Sequence, residues 1–255
     1  MTGKAPALAL VAMLVALAGG TGRAQAAGGT YRIVATGDGI VGWAPDSGTI
    51  DQTSDDPLSA TGTMVSAPPQ GAVGTADYGL AAGPGIVRAK VDGSFTIPSN
   101  LAYPFAPSLQ AVSTTELTIS APDDRYVNTS VNLHVDGIIR APVCGGRDEC
   151  GGETVYISVG PFVRQAEFNT FGGTRDNSLG LALDPVPGGY RVHGEVTSST
   201  LGVRTNTPYP VTIVLQLSGR YGGTSTPTTI GGDFDDPGAL FQVSFSPSGP
   251  VLNDV

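Results

Sequence analysis

Strict alternation of apolar and polar side chains through two neighbouring stretches limits what this chain can fold into. In VNLHVDGII (131–139), Val131, Leu133 and Val135 alternate with Asn132, His134 and Asp136. In ETVYISV (153–159), Val155, Ile157 and Val159 alternate with Tyr156 and Ser158. A period of two places one face of an extended segment in a core and the other in water. Between the stretches lies APVCGGRDECGG, which holds Cys144 and Cys150, the only two cysteines in the chain. Its glycines permit the backbone to reverse, so the sequence predicts a β-hairpin pinned across its tip by a Cys144–Cys150 disulfide. A bridge enclosing so short a loop contributes about 2 kcal/mol.

A disulfide implies an oxidising compartment, and the N-terminus agrees. Lys4 precedes the apolar run ALALVAMLVALAGG, and Ala24-Gln25-Ala26 supplies the small-x-small pattern of a processing site. The predicted organisation is a secretory signal peptide over 1–26 and a single β-sandwich domain over 27–255. Export would use the general secretory pathway, and no stable membrane span would remain after cleavage. Removing Lys4 and Arg23 with the leader moves the formal charge from −9 to −11. An acidic surface without a Lys/Arg cluster repels phosphate backbones and anionic lipid, so nucleic acid is excluded as a partner.

Only 14% of the residues are charged, while Gly numbers 37 and Pro 20. Plentiful alternating Val, Ile and Thr with Gly/Pro punctuation indicate many short strands, not disorder. The expected fold is all-β: one large sandwich, jelly-roll-like or related, with about ten to twelve strands and negligible helix outside the leader. Val87, Ala89 and Val91 should face inward, as should Leu117, Ile119, Val192 and Val196. VTIVLQLSG (211–219) is the most apolar strand. The prolines of SNLAYPFAPSLQAVST (99–114) predict an edge crossing or irregular loop, because Pro cannot donate to a ladder. PDSGTIDQTSDDPLSATG (45–62) reads as a surface loop with at most a short strand. A faint echo relates residues 116–137 to residues 195–219: a Glu-x-Thr strand end, a turn, and an alternating strand ending in Gly.

The chemistry-bearing residues are sparse. His134 and His193 both fall on the polar parity of their strands, without a Cys, Asp or third His at ligand spacing, and there is no GxSxG elbow. Glu116, Glu153, Glu167 and Glu195 could supply the paired carboxylates of a glycan-active hydrolase. However, aromatic content is 7%, low for a glycan-cleaving cleft. Asp233, Asp235 and Asp236 offer hard oxygens on a Gly-flanked loop, yet their spacing departs from calcium-loop patterns, and a solvated acidic turn describes them better. The sequence thus assigns no catalytic, cofactor or metal residue, and the chain is not expected to be an enzyme. The leading expectation is a secreted, non-catalytic envelope, cell-surface or extracellular-matrix component whose partners are extracellular glycan or other envelope components. The alternative is a carbohydrate-binding module using Trp43, Tyr103 or Tyr209.

The runs TADYGLAAGPGIVRAKVDGSFT, TTELTIS, SVNLHVDGII, PYPVTIVLQLSG and GGDFDDPGALFQVSFSPSGPVLNDV together resemble uncharacterised exported bacterial all-β proteins that often carry a C-terminal Pro-Glu-Pro exosortase sorting tail. The likeness covers most of the mature chain. It implies an envelope, surface or matrix protein and carries over no functional positions. The present sequence reaches Val255 without that tail. Either the chain continues past Val255 or this member is released without sorting.

Overall fold

In the computed structural model the described residues are 23–37, 48–66, 73–96, 106–140, 151–160, 164–170, 173–197, 201–221, 228–231 and 241–251. They form sixteen strands, numbered along the chain, and no helix. One sheet runs, in spatial order, β10 (Thr174–Asn177), β9 (Arg164–Asn169), β8 (Gly151–Gly160), β14 (Tyr209–Tyr221), β6 (Pro107–Ser120), β1 (Arg23–Gly37) and β2 (Ile50–Ser54). The other runs β11 (Ala182–Val186), β12 (Gly189–Thr197), β7 (Tyr126–Arg140), β16 (Phe241–Val251), β5 (Ile86–Thr96), β4 (Val73–Gly83) and β3 (Leu58–Ser66). Two further strands lie off these paths, β13 (Leu201–Arg204) beside β7 and β15 (Thr228–Gly231) beside β5. The all-β sandwich expected from the alternation is present, with more strands than the predicted ten to twelve. Every pairing among them is antiparallel.

The alternation explains why these segments are strands and which way they face. Ile33, Leu109, Ile157, Ile213 and Leu215 of the first sheet and Val87, Ala89, Leu133, Val135 and Ile139 of the second are fully or almost fully buried in one apolar layer. Burying each large aliphatic side chain stabilises the fold by about 1.5–3 kcal/mol, and this layer is what holds the sheets together. The inward positions expected from sequence, Val91, Leu117, Ile119, Val131, Val155, Val159, Val192 and Val196 among them, are all buried.

Where the sequence expectation failed, it failed on which strands are neighbours. Residues 131–139 and 153–159 do not pair as a hairpin. β7 lies in the second sheet between β12 and β16, whereas β8 lies in the first between β9 and β14. Residues 141–150, between the two strands, lie outside the described residues. Alternation reports that one face is buried and does not say against what. β7 and β8 bury their apolar sides in the same core from different sheets instead of lying side by side. Cys144 and Cys150, and with them the predicted disulfide, lie outside the described residues, as do Trp43, Tyr103, Asp233, Asp235 and Asp236.

The segment expected to be an irregular loop also changes role. Residues 107–114 form the first half of β6, a central strand, and Pro107 is tolerated because it is the first residue of the strand. Residues 45–62, expected to be mostly loop, contain β2 and much of β3, both at sheet edges where polar, turn-rich sequence is acceptable. Of the predicted leader, residues 1–22 lie outside the described residues, while 23–26 open β1 and pair with 117–120 of β6. The register shifts between Ala26 and Gly29.

The faint repeat has a structural counterpart. Residues 116–137 pass from β6 in the first sheet to β7 in the second, and residues 195–219 pass from β12 in the second to β14 in the first. The strands of the two segments are neighbours crosswise, the first of one beside the second of the other: β6 beside β14 and β12 beside β7. The two crossings interlock at one end of the sandwich. Thr205, fully buried, donates from Oγ1 to the Asp123 carbonyl at 2.7 Å and accepts from the Arg125 N–H at 2.9 Å. Asn206 adopts a left-handed φ of 57°, rare for a residue with a Cβ. Its amide holds both polar groups of Ala121, accepting from the N–H at 3.0 Å and donating to the carbonyl at 2.9 Å, which stabilises the unusual backbone.

A second inter-sheet clamp is polar and buried. Ser113 Oγ donates to the Gly83 carbonyl at 2.6 Å, and Thr115 Oγ1 accepts from the Gly85 N–H at 2.8 Å. These two core-facing hydroxyls of β6 thereby satisfy the β4–β5 turn of the opposite sheet, whose backbone groups would otherwise be buried without partners.

Candidate functional site

Function on a sandwich of this kind must be sought on the outer faces and the ends, because the interior is filled. The outer face of the second sheet is the charged one. Both histidines lie on it, on adjacent strands, with Asp136 opposite His193 and His134 opposite Glu195 in the β7–β12 ladder. Arg191 grips Asp136 through two hydrogen bonds, Nε to Oδ1 and Nη2 to Oδ2, each 2.8 Å. His193 Nε2 lies 2.8 Å from Asp184 Oδ2 on β11, and His134 Nδ1 lies 3.4 Å from Glu195 Oε1. The hydrogen bonds from Arg191 hold the Asp136 carboxyl below the usual carboxylate range, against the opposing push of partial burial. The same contact raises the Arg191 guanidinium above its ordinary value.

This arrangement is a set of complementary pairs, one acid to each base, in contact with water. Cross-strand ion pairs of that sort set the register of a sheet and contribute modestly to its stability. No group of three or more His, Cys, Asp or Glu among the described residues converges in a geometry that could hold a metal ion.

Three further aspartates on strands and turns are paired too. Asp51 receives two hydrogen bonds from Arg32, at 2.9 and 2.8 Å, which lower its carboxyl. Asp124 pairs with Arg204 at 3.2 Å and Asp123 with Arg125 at 3.7 Å.

Glu116, Glu167 and Glu195 do not come together, and the Glu153 side chain lies outside the described residues. Glu195 is on the second sheet, and Glu116, Glu153 and Glu167 are on strands of the first. Glu167 is level with Tyr156, Gln216 and Gln110 across β8, β14 and β6, so Glu116 stands three strands away and six residues out of step along β6. That is about 14 Å across and about 20 Å along the sheet. A two-carboxylate hydrolase needs its acids within roughly 5–9.5 Å. Tyr209, expected as an exposed ligand-stacking ring, instead packs against both the main core and the small cluster of Ile119, Val127 and Val203.

The outer face of the first sheet has a different chemistry, which the sequence reading did not single out. On its central strands β6, β14 and β8, Glu116 is the only charged residue among the described side chains. Among the described side chains, the ion pairs of this sheet lie on the flanking strands, Arg32–Asp51 on β1 and β2 and Arg175–Glu167 on β10 and β9. Between them run rows of like residues fixed by the register. Thr30, Thr114 and Thr212 form one row, in which the last two bond hydroxyl to hydroxyl at 3.0 Å. Gln110, Gln216 and Tyr156 form another.

Tyr156 is half-buried and its hydroxyl donates to Gln165 Oε1 at 3.0 Å. Gln165 Nε2 in turn donates to Asp176 Oδ2 at 2.7 Å, and the Ser178 N–H caps Asp176 Oδ1 at 2.9 Å. Those bonds, the one from Gln165 foremost, hold Asp176 below the usual carboxylate range. The relay fixes both the ring of Tyr156 and the direction of its proton, leaving the phenol oxygen free to accept. In the sequence the only hint was the polar parity of Tyr156 in ETVYISV.

Comparison with protein-family models, with curated proteins and with solved structures returned no match.

Proposed function

We propose that this chain is an exported, non-catalytic β-sandwich that serves as a component of the cell envelope, the cell surface or the extracellular matrix. The observation that supports this reading best is the state of the ionisable groups on the charged face. His134, His193, Asp136, Asp184, Arg191 and Glu195 are arranged as three acid–base pairs in contact with water. Groups so arranged give a sheet register and solubility. The N-terminal leader pattern, the acidic balance and the two cysteines favour an oxidising, extracytoplasmic setting.

The full chain, expressed with its own N-terminus in a bacterial host and followed by cell fractionation, is expected in the envelope or the medium. Incubated with a broad panel of glycan, peptide and ester substrates, it should turn over none. Retention in the cytoplasm would overturn the export reading, and robust turnover of any substrate would overturn the non-catalytic one.

A further inference from the structure

We propose that the outer face of the first sheet binds a neutral, hydroxyl-rich polysaccharide, which lies across the strands along the row Gln110–Gln216–Tyr156 with a sugar ring stacked on Tyr156. The inference deepens the envelope and matrix reading, on which it rests, by naming the class of polymer the protein holds.

Three features of this face select the occupant. The first is charge. The chain as a whole carries a formal −9 and repels anionic polymers, whereas the central strands of this face carry only Glu116 among their described side chains. An uncharged polymer meets no electrostatic barrier there. The second is hydrogen-bonding capacity. The side chains of Gln110, Gln216, Ser158 and Ser218 make no hydrogen bond among the described residues, so amides and hydroxyls stand available in a flat array. Sugar hydroxyls are both donors and acceptors and can satisfy such an array, while an apolar protein surface laid on it would bury those groups without partners.

The third observation is preorganisation. The Tyr156–Gln165–Asp176 relay holds an aromatic ring in one orientation with its proton already committed. Such a ring offers an apolar face for a pyranose and a phenol oxygen that can accept from a sugar hydroxyl, at little ordering cost on binding. Successive positions in the row are one strand apart, about 4.8 Å, close to the length of a single pyranose residue. Three consecutive sugars would then meet Tyr156, Gln216 and Gln110 in turn.

The test is affinity electrophoresis and sedimentation of the full, folded chain against soluble β-glucan, amylose, dextran and insoluble cellulose, with alginate as the anionic control. Retardation or pull-down by at least one neutral polymer and none by alginate is expected. Tyr156→Ala should weaken binding by about tenfold or more, as loss of a central aromatic anchor does, and Gln216→Ala should weaken it several-fold. Tyr156→Phe should retain most of the stacking and fall between wild type and Tyr156→Ala. Each variant's unfolding midpoint is measured alongside, so that loss of binding is separated from loss of fold.

Failure to bind any neutral polymer, or unchanged binding by Tyr156→Ala, overturns the proposal. So does a concentration-dependent dimer that Tyr156→Ala disrupts, which would make the occupant a second copy. None of these results touches the non-catalytic envelope reading, which stands or falls on the turnover and fractionation experiments.

Discussion

The two outer faces of this sandwich are written in the same alternating code and have opposite chemistry. On the charged face, β11, β12 and β7 carry Asp184, Arg191, His193, Glu195, His134 and Asp136, and each acid has a basic partner. On the neutral face, the described side chains of β6, β14 and β8 are mainly threonine, serine, glutamine and valine, with Glu116 and the hydrogen-bonded ring of Tyr156. The apolar layer beneath both is continuous. The core therefore demands only that every second residue be apolar and leaves the intervening positions free, and it is in those positions that the faces have diverged. The acids and bases of β11, β12 and β7 already satisfy one another, whereas the amides and hydroxyls of the neutral face stand open to a ligand.

The contrast can be tested by perturbing each layer in turn, and the largest effect should come from beneath the faces. Ile213 and Val214 are consecutive on β14, the first fully buried and the second half-buried on the neutral face. Ile213→Ala should lower unfolding stability by about 2–5 kcal/mol, and Val214→Ala by less than about 1.5 kcal/mol, in urea titrations. Comparable losses at both positions would mean that the neutral face is covered and not open.

Next in size is the clamp that both faces share. Thr205→Ala leaves the Asp123 carbonyl and the Arg125 N–H without their partner and should cost about 1–3 kcal/mol, while Thr205→Ser should retain most of the stability. If the faces ride on one scaffold, Thr205→Ala should shift a single cooperative transition. Two separate transitions would show that the sheets unfold independently.

The smallest effect should be confined to the charged face and to acid. Because the folded state holds the Asp136 carboxyl below its ordinary value, its contribution is complete above the unfolded pKa, about 4. It fades as the pH falls through the lower folded value. Asp136→Asn should therefore be slightly less stable than wild type at pH 7 and converge with it as the pH drops below about 4. Urea midpoints at pH 7 and pH 3 measure this. Raising the salt concentration at pH 7 should narrow the gap as well, since the pair is partly exposed. Thr114→Val, on the neutral face, should respond to neither variable.

Much of this architecture is legible in the residues. The inward set of β7, Val131, Leu133 and Val135, and that of β8, Val155, Ile157 and Val159, can be read from alternation alone, because the side-chain period of a strand is a local property of the backbone. The outward parity of His134 and His193 is equally plain. The partners of those residues are not. That Asp136 meets Arg191, or that Thr114 meets Thr212 at a separation of 98 residues, depends on which strands lie side by side. Cysteines flanking a Gly-rich turn suggested a hairpin, yet β7 and β8 sit in different sheets. Prolines suggested a loop, yet Pro107 simply opens a central strand.

What the amino-acid sequence determined by itself is the class of fold and the identity of the core, since burial of every second side chain follows from composition and a two-residue period. Only the tertiary structure decided the neighbours, and with them the chemistry of each surface. Gln110, Gln216 and Tyr156 are scattered along the chain and become one row because β6, β14 and β8 are adjacent. Strand adjacency is settled by the packing of the whole apolar layer and the closure of long loops, energies to which no short window of sequence has access.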